Sequence, residues 1–378
     1  MKQFTYTANP ARVIFGTGTF TQLPAEIARL GIKRPLVLST PEQKFYADKV
    51  EEMIRSSSEM HPDIQSAGQF NNATMHIPMD VTLRALEIAD ERKADGLIAI
   101  GGGSTTGLSK AISLKTDLPQ IIIPTTYAGS EMTLIIGQTE NNQKTTQVTP
   151  KVLPEVVIYD VDFTMSLPVG LSAYSGMNAI AHSVEALYSQ SANPVVDLMA
   201  IEGIQALSRA LPVIVQSNGR DKEARGDALY GAWLCACSLS LVGMSLYHKL
   251  CHVLGETFNL PHAETHTIVL PHALSYNLLA LPQPTVRKLS RAFTGSEDGD
   301  PIAGLNELMS KLSQGGVKRA LKDIGMPENG IDKAADAAVK NAYWNPREIK
   351  RDGIRELNKS LGGRGSQGEY LIICVSVM

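Results

Sequence analysis

The sequence predicts an α/β fold in which an N-terminal domain with a mostly parallel, doubly wound sheet precedes an all-helical C-terminal domain, with the functional site in the cleft between them. Short apolar runs alternate with helical periods in the first part of the chain, and helical periods dominate after about residue 165. Strands that alternate with helices form βαβ units, whose strands are parallel. We place the domains at residues 1–162 and 163–360, followed by an atypical tail at residues 361–378.

The strands of the predicted sheet carry apolar residues at successive positions, as in LIAI and QIIIP. Such runs are typical of strands that are buried on both faces of a parallel sheet. The predicted strands are Arg12–Phe15, Pro35–Ser39, Ile64–Phe70, Gly96–Ile100, Gln120–Pro124 and Val156–Asp160. The predicted helices between them are Thr19–Leu30, Pro41–Ser56, Pro78–Lys93 and Ser104–Lys115. Leu134–Val148 contains two strand-like runs around a polar turn, which predicts a β-hairpin.

The second half of the chain has the 3.6-residue periodicity of helices and contains six of the eight histidines. The predicted helices are Ser172–Ser189, Pro194–Gln216, Asp221–Leu241, Leu246–Phe258, Pro261–Ala280, Pro301–Ile324 and Gly330–Lys340. After Leu361 the composition changes to a glycine-rich link and an apolar run, which predicts a frayed end or a docked edge strand.

Composition and charge argue against several classes of protein. The net charge of −3 lacks the basic excess of nucleic-acid-binding proteins. No run of 18 apolar residues is present and the N-terminus lacks the apolar core of a signal peptide, so we expect a cytoplasmic protein with no membrane partner. The four cysteines are unevenly spaced, which suits reduced thiols rather than a disulfide framework.

Two polar loops at the ends of predicted strands are candidates for binding a dinucleotide. Glycines let a phosphate approach the backbone, and free N–H groups at a helix start attract anions. The second loop, after the next strand, lies where ligands bind in open α/β sheets, and the end of the second strand carries no carboxylate that would repel a 2′-phosphate. NADH and NADPH are therefore both plausible cofactors, although either loop could instead be a structural turn. The candidate residues are Gly101, Gly102, Gly103, Ser104, Thr105, Thr125, Thr126 and Ser39.

Histidines recur at helical spacing in three segments. Four residues separate Asn178 from His182, His248 from His252, and His262 from His266. Residues at this spacing share a helix face, so the imidazoles of each segment converge. His182, His248 and His262 could bind a metal ion, but Asn178 supplies only a neutral amide oxygen, which disfavours a metal without forbidding it. The alternative is proton transfer and stabilisation of an anion, for which histidine is suited near neutral pH.

From about Asn9 to Arg355 the chain resembles the iron-containing alcohol dehydrogenase superfamily and, within it, the maleylacetate reductases. The resemblance rests on blocks that occur in order and at matching spacing. They are FGTG (Phe15–Gly18), GGGSTTGLSKAI (Gly101–Ile112), IPTTYAGSEMT (Ile123–Thr133), KTTQ (Lys144–Gln147), LPEVVIYD (Leu153–Asp160), SGMNAIAHSVEALY (Ser175–Tyr188) and HKLCHVLGETFNLPHAETHTIVLPH (His248–His272).

The resemblance implies NADH- or NADPH-dependent reduction of maleylacetate to 3-oxoadipate in the breakdown of aromatic compounds, by a homodimer. Metal-dependent members bind the ion with one Asp and three His, which match Asn178, His182, His248 and His262 here. The change from Asp to Asn implies that no catalytic metal is required. His252 matches a histidine between nicotinamide and substrate, which makes it the candidate proton donor. A dicarboxylate substrate also needs polar or cationic partners, for which the candidates are Asn178, Tyr127, Lys249, Lys144, Arg347 and His76.

Two other activities on related scaffolds are alternatives. A metal-dependent alcohol dehydrogenase would contain bound iron or zinc, which Asn178 disfavours. A cyclising lyase of the dehydroquinate-synthase type binds a phosphorylated sugar and needs more Lys and Arg than the helical half provides. A binding protein without activity would not need both a phosphate loop and a histidine cluster.

Overall fold

Six parallel strands form the sheet that organises the first half of the chain. The computed structural model describes residues 3–7, 11–140, 143–243, 245–327, 329–340 and 343–361. The six strands lie in the order β1-β8-β5-β4-β2-β3, which confirms the predicted parallel sheet, and β6 and β7 form the predicted antiparallel hairpin. The strands are β1 (Arg12–Gly16), β2 (Pro35–Leu38), β3 (Gln69–Phe70), β4 (Gly96–Gly101), β5 (Gln120–Pro124), β6 (Ile135–Glu140), β7 (Gln143–Val148) and β8 (Val156–Asp160).

Helices cover the sheet because its central strands are apolar on both faces. All residues of β4, β5 and β8 are buried. On one face, Ile98 and Ile100 of β4 pack in a core with apolar residues of the first two helices, such as Ile27 and Val50. The helices of this half are α1 (Leu23–Arg29), α2 (Lys44–Ser56), α3 (Met79–Glu91) and α4 (Gly103–Thr116).

The rest of the described chain is helical, as predicted. Its first helix is buried along nearly its whole length, so it forms the centre around which other helices pack. The helices are α5 (Val169–Tyr188), α6 (Pro194–Gln216), α7 (Lys222–Ser240), α8 (Leu246–Phe258), α9 (His262–Leu278), α10 (Gln283–Thr294), α11 (Pro301–Ser313), α12 (Gly330–Val339) and α13 (Arg351–Leu361).

The chain divides into two compact units, whose limits differ from the predicted domain limits. The sheet unit comprises Thr5–Pro168 and Gly219–Leu241, and the helical unit comprises Val169–Asn218 and the described residues from Val242 onward, with residues 3 and 4. Helix α7 was expected in the helical domain, but it belongs to the sheet unit. Its Trp233 ring stacks on Phe15 of β1 with centroids 6.2 Å apart, and Arg225 donates to the Leu167 carbonyl oxygen at 2.7 Å.

Several predicted elements differ in length from those observed. The strand predicted over Ile64–Phe70 is reduced to β3, because Gly68 takes a left-handed conformation with φ of 90°. The helix predicted over Pro301–Ile324 ends at Ser313, since Gly316 has φ of 85° and a separate short turn follows at Leu321–Ile324. Helices α10 and α13 were not predicted. The predicted tail at 361–378 lies outside the described residues from position 362 onward.

Helix α6 is the one described helix that is long and apolar enough, by length and composition alone, to cross a membrane. Its most apolar stretch has a mean hydropathy of 1.5, and half of that stretch is buried. Its apolar sequence is interrupted by the charged residues Asp197, Glu202 and Arg209. The buried face of the helix packs against α5 and α10. These properties are those of a core helix in a globular protein.

Candidate functional site

In the sheet unit, the glycine loop joins β4 to the start of α4. Gly102 precedes the helix and has no side chain to cap it, so the N-cap residue supplies no acceptor to the first N–H groups of α4. A Cβ on Gly101, whose φ is 156°, would meet the side chains of Thr105 and Gln43. A Cβ on Gly103 would meet nothing within 4 Å. The loop therefore presents bare backbone and an uncapped helix start, which is the arrangement that binds phosphate.

The loop that follows β5 lies against the glycine loop. Gly101 is paired with Pro124 across the two strands, and the Thr125 N–H donates to the Gly101 carbonyl oxygen at 3.0 Å. A Cβ on Gly102 would come within 3.0 Å of Cγ2 of Thr126. Gln43, in the turn after β2, donates from Nε2 to Oγ1 of Thr125 at 2.9 Å. Polar groups from three strand ends thus meet at one edge of the sheet, as expected for a ligand site in this type of fold.

Ser39 and Thr105 differ in how their hydroxyl groups are used. The Ser39 hydroxyl is buried and lies 2.7 Å from Oδ1 of Asn71, to which it donates. Oγ1 of Thr105 is buried and has no hydrogen-bond partner among the described residues. Because a buried hydroxyl without a partner is costly, Thr105 is the stronger candidate for a contact with a bound ligand.

In the helical unit, α5, α8 and α9 bring the predicted histidines together. The rings of His182 and His248 are stacked with centroids 5.4 Å apart, and the His252 ring lies 6.3 Å from that of His248. His266 lies 5.7 Å from His248 and 4.2 Å from His262. We call these five residues the histidine cluster.

A buried carboxyl group orients His248. Glu185 of α5 is fully buried, and one of its oxygens lies 2.6 Å from Nδ1 of His248. Its two oxygens also accept backbone N–H groups of Ser245 and Tyr247, each at 2.9 Å. Since the carboxyl group accepts from all three, His248 carries its proton on Nδ1 and its Nε2 is left to act toward the rest of the cluster.

A buried phenol contacts His266 at two of its atoms. The hydroxyl group of Tyr247 lies 2.7 Å from Nδ1 of His266 and 3.1 Å from its carbonyl oxygen. Burial raises the pKa of Tyr247 well above its ordinary value, so the phenol keeps its proton and remains a donor. Nε2 of His266 is buried and has no hydrogen-bond partner among the described residues.

The side chains of the histidine cluster differ in their exposure to solvent. His182, His248 and His266 are buried, whereas His252 is half-buried and His262 is exposed. Burial lowers the pKa of His182 and of His266 well below the ordinary value, and the neighbouring imidazoles lower both further. These two rings are therefore neutral at pH 7 and can donate or accept a hydrogen bond without carrying charge.

The depressed pKa values predict that acid destabilises the protein. Burial also lowers the pKa of His272 to about 4. Below about pH 6.5 the unfolded chain takes up protons on these histidines while the folded protein does not, so the free energy of unfolding falls as the pH falls toward 5. The difference between the urea unfolding midpoints at about pH 6.5 and at about pH 5 measures this loss of stability. His272→Gln should reduce the difference, the exposed His76→Gln should leave it unchanged, and equal midpoints in the wild type would contradict the prediction.

Three further polar atoms of α5 are buried without a partner among the described residues, namely Oδ1 of Asn178, Nδ1 of His182 and Oγ of Ser183. Asn178 and His182 lie one helical turn apart. Unpaired buried polar atoms are costly, so the presence of these two on one helix face beside the histidine cluster is typical of a site for a polar ligand.

The residues that match the metal ligands do not fit a metal ion in this arrangement. Among the described residues, no three His, Cys, Asp or Glu side chains are placed to share one ion. Asn178 provides a neutral oxygen where an anionic ligand would offset the charge of iron or zinc.

The other predicted substrate contacts lie in varied surroundings. Nζ of Lys249 lies 5.6 Å from the centre of the Tyr343 ring, and the Arg347 guanidinium stacks on Tyr276 and donates to its carbonyl oxygen at 3.0 Å. Tyr127 is fully buried, and its hydroxyl accepts from Arg225 at 3.4 Å. His76 is exposed and left-handed, with φ of 65°, and the side chain of Lys144 lies outside what the structure describes.

Glu185, Tyr247 and His266 were not among the predicted site residues. His266 carried a signal, since it is four residues after His262. Glu185 is three residues after His182 and so lies on the same face of α5, but an acidic residue in a helix usually faces solvent. Tyr247 gave no signal, because its role depends on the packing of α8 against α9.

Two family models and several known proteins match most of the chain. A sequence model of iron-containing alcohol dehydrogenases matches residues 10–161, and a model of the C-terminal part of the Fe-containing alcohol dehydrogenase family matches residues 172–362. The maleylacetate reductase of Rhizobium sp. (strain MTP-10005) is 47% identical over 357 residues, which cover 94% of this chain and 97% of that protein. The maleylacetate reductase of Sphingobium indicum is 48% identical over 355 residues, which cover 94% and 96%.

Solved structures show the same similarity. The crystal structure of maleylacetate reductase from Agrobacterium tumefaciens has a TM-score of 0.89 and 46% identity, and the match covers 96% of this chain and 99% of that one. A 1,3-propanediol oxidoreductase has a TM-score of 0.85 at 24% identity over 95% of this chain and all of that one, which shows a shared fold.

Proposed function

Since the chain belongs to the iron-containing alcohol dehydrogenase family, we propose that it is an oxidoreductase that uses NADH or NADPH to reduce the C=C bond of maleylacetate, giving 3-oxoadipate in the degradation of aromatic compounds. The observation that carries the proposal is an identity of 47% and 48% to two maleylacetate reductases over 94% of this chain. Because the matched length is nearly the whole chain, it includes both units.

The chemistry of this reduction defines what the protein must supply. Maleylacetate is an enone flanked by two carboxylates, and the bound nicotinamide supplies a hydride to the alkene carbon β to the ketone. Negative charge then develops on the ketone oxygen as an enolate. That oxygen needs hydrogen-bond donors that are already in place, and the neighbouring carbon needs a proton.

The histidine cluster is suited to both tasks. We assign stabilisation of the enolate oxygen to the imidazoles of His182, His248 and His262, which can donate N–H groups without a metal. We assign the proton to His252, which is less buried than His248 and lies one helical turn away from it. The amide of Asn178, whose Oδ1 has no partner among the described residues, is the candidate contact for a polar group of the substrate.

The glycine loop and the loop after β5 are assigned to the dinucleotide. The bare backbone at Gly101–Gly103 and the uncapped start of α4 suit the pyrophosphate, and Thr105, Thr125 and Thr126 offer polar contacts beside it. At the end of β2, Ser39 and Asn71 are uncharged, so they neither repel a 2′-phosphate nor form an ion pair with it. The proposal therefore includes both NADH and NADPH.

Gly103→Ala tests where the phosphates bind. The added methyl group meets no protein atom within 4 Å, and alanine favours a helix, so we expect stability to change by less than about 1 kcal/mol. The same methyl group would occupy the space of a phosphate, so the dissociation constant for NADH should rise on the order of tenfold. A fluorescence titration measures this, with Lys115→Ala on the same helix as the control. An unchanged dissociation constant would exclude phosphate binding at this position.

We further propose that catalysis needs no metal. The support is the neutral Asn178 among the candidate ligands and the lack, within the described residues, of three ligands placed to share an ion. The test is NADH oxidation with maleylacetate, with and without EDTA, on protein of measured metal content. Turnover that is unaffected by EDTA in metal-free protein is expected. Turnover that is lost with EDTA and restored by iron or zinc would instead support a metal-dependent alcohol dehydrogenase.

The setting of the proposed reaction is a cytoplasmic homodimer. A reductase that uses NADH or NADPH draws on the intracellular pool of these cofactors, and the buried thiols of Cys235 and Cys251 suit a reducing compartment. Light scattering on the purified protein should give twice the chain mass of 40.8 kDa.

A further inference from the structure

Outside the histidine cluster, Lys110 is the most unusual buried polar group. It lies on α4 and is fully buried. Its Nζ lies 2.5 Å from the carbonyl oxygen of Ser130, 2.7 Å from that of Thr133 and 3.0 Å from that of Ile135. Oγ1 of Thr133 is a fourth acceptor at 3.1 Å. We call these four oxygens the carbonyl cage.

The carbonyl cage belongs to the segment that continues the loop after β5. This segment passes through Gly129, with φ of 82°, and a short turn at Ser130–Met132 before β6 begins. Backbone carbonyl groups in such an irregular stretch have few backbone donors, and the three N–H groups of one ammonium satisfy them together. Glu131 in the same turn accepts from the hydroxyl group of Tyr159 at 2.8 Å, so the turn is held from the interior at two points.

Burying a lysine side chain lowers the stability of the fold, because the ammonium loses its hydration. Burial lowers the pKa of Lys110 to about 7, and the nearby Glu131 partly opposes that effect. Four oxygen acceptors favour the ammonium over the neutral amine, which has only two N–H groups to offer. An apolar residue would fill the same volume without the desolvation cost. An apolar residue could not, however, bind three carbonyl groups of one loop.

The held segment is continuous with the loop that packs on the glycine loop. The Thr126 side chain fills the space that a Cβ on Gly102 would need, and the Thr125 N–H donates to the Gly101 carbonyl oxygen. Ser130 follows Thr126 by four residues, so loss of the ammonium would free the far end of the same loop. Ordering a binding loop in advance improves affinity because the ligand does not have to pay that entropy.

We propose that Lys110 is a positioning residue for the dinucleotide, which acts by ordering the loop at residues 125–135 through the carbonyl cage. This inference rests on the proposed function of that loop in cofactor binding. It assigns Lys110 no contact with cofactor or substrate, and it predicts an effect on NADH affinity that exceeds any effect on the chemical step.

The test is NADH binding by Lys110→Ala, measured by fluorescence titration without substrate. We expect the dissociation constant to rise on the order of tenfold or more. The KM for NADH should rise in parallel, while kcat at saturating NADH and the KM for maleylacetate stay within about twofold, since a merely structural defect would lower the active fraction instead. The exposed Lys115→Ala, on the same helix, should bind NADH as the wild type does.

Rescue by a small amine makes the test specific for the cage. Lys110→Ala leaves the four oxygens around a space of the size of the lost side chain, so millimolar n-propylammonium should restore NADH affinity. Tetramethylammonium has no N–H group to donate and should not. Lys110→Met, which keeps the volume and removes the donors, should bind NADH as weakly as Lys110→Ala. Wild-type affinity in a folded Lys110→Met or Lys110→Ala would overturn the inference.

Two outcomes separate this inference from the proposed function. If the wild type binds neither NADH nor NADPH, the proposed function fails and the inference falls with it. If the wild type binds NADH but neither Lys110 variant folds, Thr133→Val decides, because it removes one acceptor of the cage and keeps the shape of the side chain. Weaker NADH binding by Thr133→Val supports the inference, and unchanged binding overturns it.

Discussion

His252→Ala should lower kcat for maleylacetate reduction about 10²- to 10⁴-fold, the range expected when a positioned proton donor is lost. His252 is half-buried on α8, one turn after the buried His248, so it can reach both the solvent and the cluster. Its partly exposed position also means that the substitution leaves little empty space in the core. We therefore expect the unfolding midpoint to change far less than the turnover. Steady-state kinetics with saturating NADH and a thermal melt of the same sample measure both.

The control for His252 is Glu256→Ala, an exposed position one turn further along α8, which should keep wild-type turnover. A proton donor also makes a distinct kinetic signature, because the solvent isotope effect on kcat should change when water replaces imidazole. A turnover of His252→Ala within about threefold of the wild type would remove His252 from the mechanism and move the proton to His262, the other accessible imidazole.

The parts of the fold that could be predicted from the sequence are those in which local pattern and tertiary environment agree. The strands β4, β5 and β8 have apolar residues at successive positions and are buried on both faces, so the pattern is a direct consequence of the environment. Helix α13 shows the opposite case. Arg351–Leu361 is mostly polar, and its few apolar residues, such as Ile354 and Leu357, become a buried face only once other helices cover them.

The same distinction between local pattern and tertiary environment applies to the candidate site. Histidines at i,i+4 spacing are visible in a sequence because one helix sets their geometry, and the structure brings the histidines of α5, α8 and α9 together. The groups that orient these rings come from other elements or from positions that look ordinary. Glu185 is 63 residues from the imidazole it holds, and Lys110 binds carbonyl groups 20 to 25 residues away. A backbone carbonyl has no residue type, so no sequence pattern can reveal the carbonyl cage.

Helix α7 shows how a single buried charge can decide the unit to which a helix belongs. Its sequence is helical and follows a helical segment, which is why it was expected in the helical domain. Arg225 of α7 is almost completely buried, and it donates to the carbonyl oxygens of Gly219 and Leu167 and to the Tyr127 hydroxyl. A buried guanidinium is stable only with several acceptors, and the described partners belong to the sheet unit.

Glu185→Ala should have the largest effect on stability, lowering the free energy of unfolding by about 3–5 kcal/mol. The substitution removes the acceptor of three donors at once, namely the backbone N–H groups of Ser245 and Tyr247 and the Nδ1–H of His248. Each buried donor left without a partner costs about 1–3 kcal/mol, partly recovered where water enters. Urea unfolding followed by circular dichroism measures the change. The control is Glu202→Ala on α6, where a half-exposed carboxylate lies 3.8 Å from Arg209 and its loss should cost less than about 1 kcal/mol.

Glu185→Gln separates the two roles of this residue, because it keeps the volume and one amide oxygen but replaces the other oxygen with a donor. The amide oxygen can still accept a backbone N–H, so the stability loss should be smaller than in Glu185→Ala. Oε2 bonds both the Ser245 N–H and Nδ1 of His248, and Oε1 bonds the Tyr247 N–H, so an amide must turn its NH₂ group against one of these two sets of donors. In either orientation the contact that fixes the His248 ring, or the backbone beside it, is lost. We therefore expect turnover to fall about 10²-fold or more even where the protein stays folded. A Glu185→Gln enzyme with wild-type kcat would contradict a catalytic need for the carboxylate, since a single amide oxygen would then orient His248 as well as the two carboxylate oxygens do.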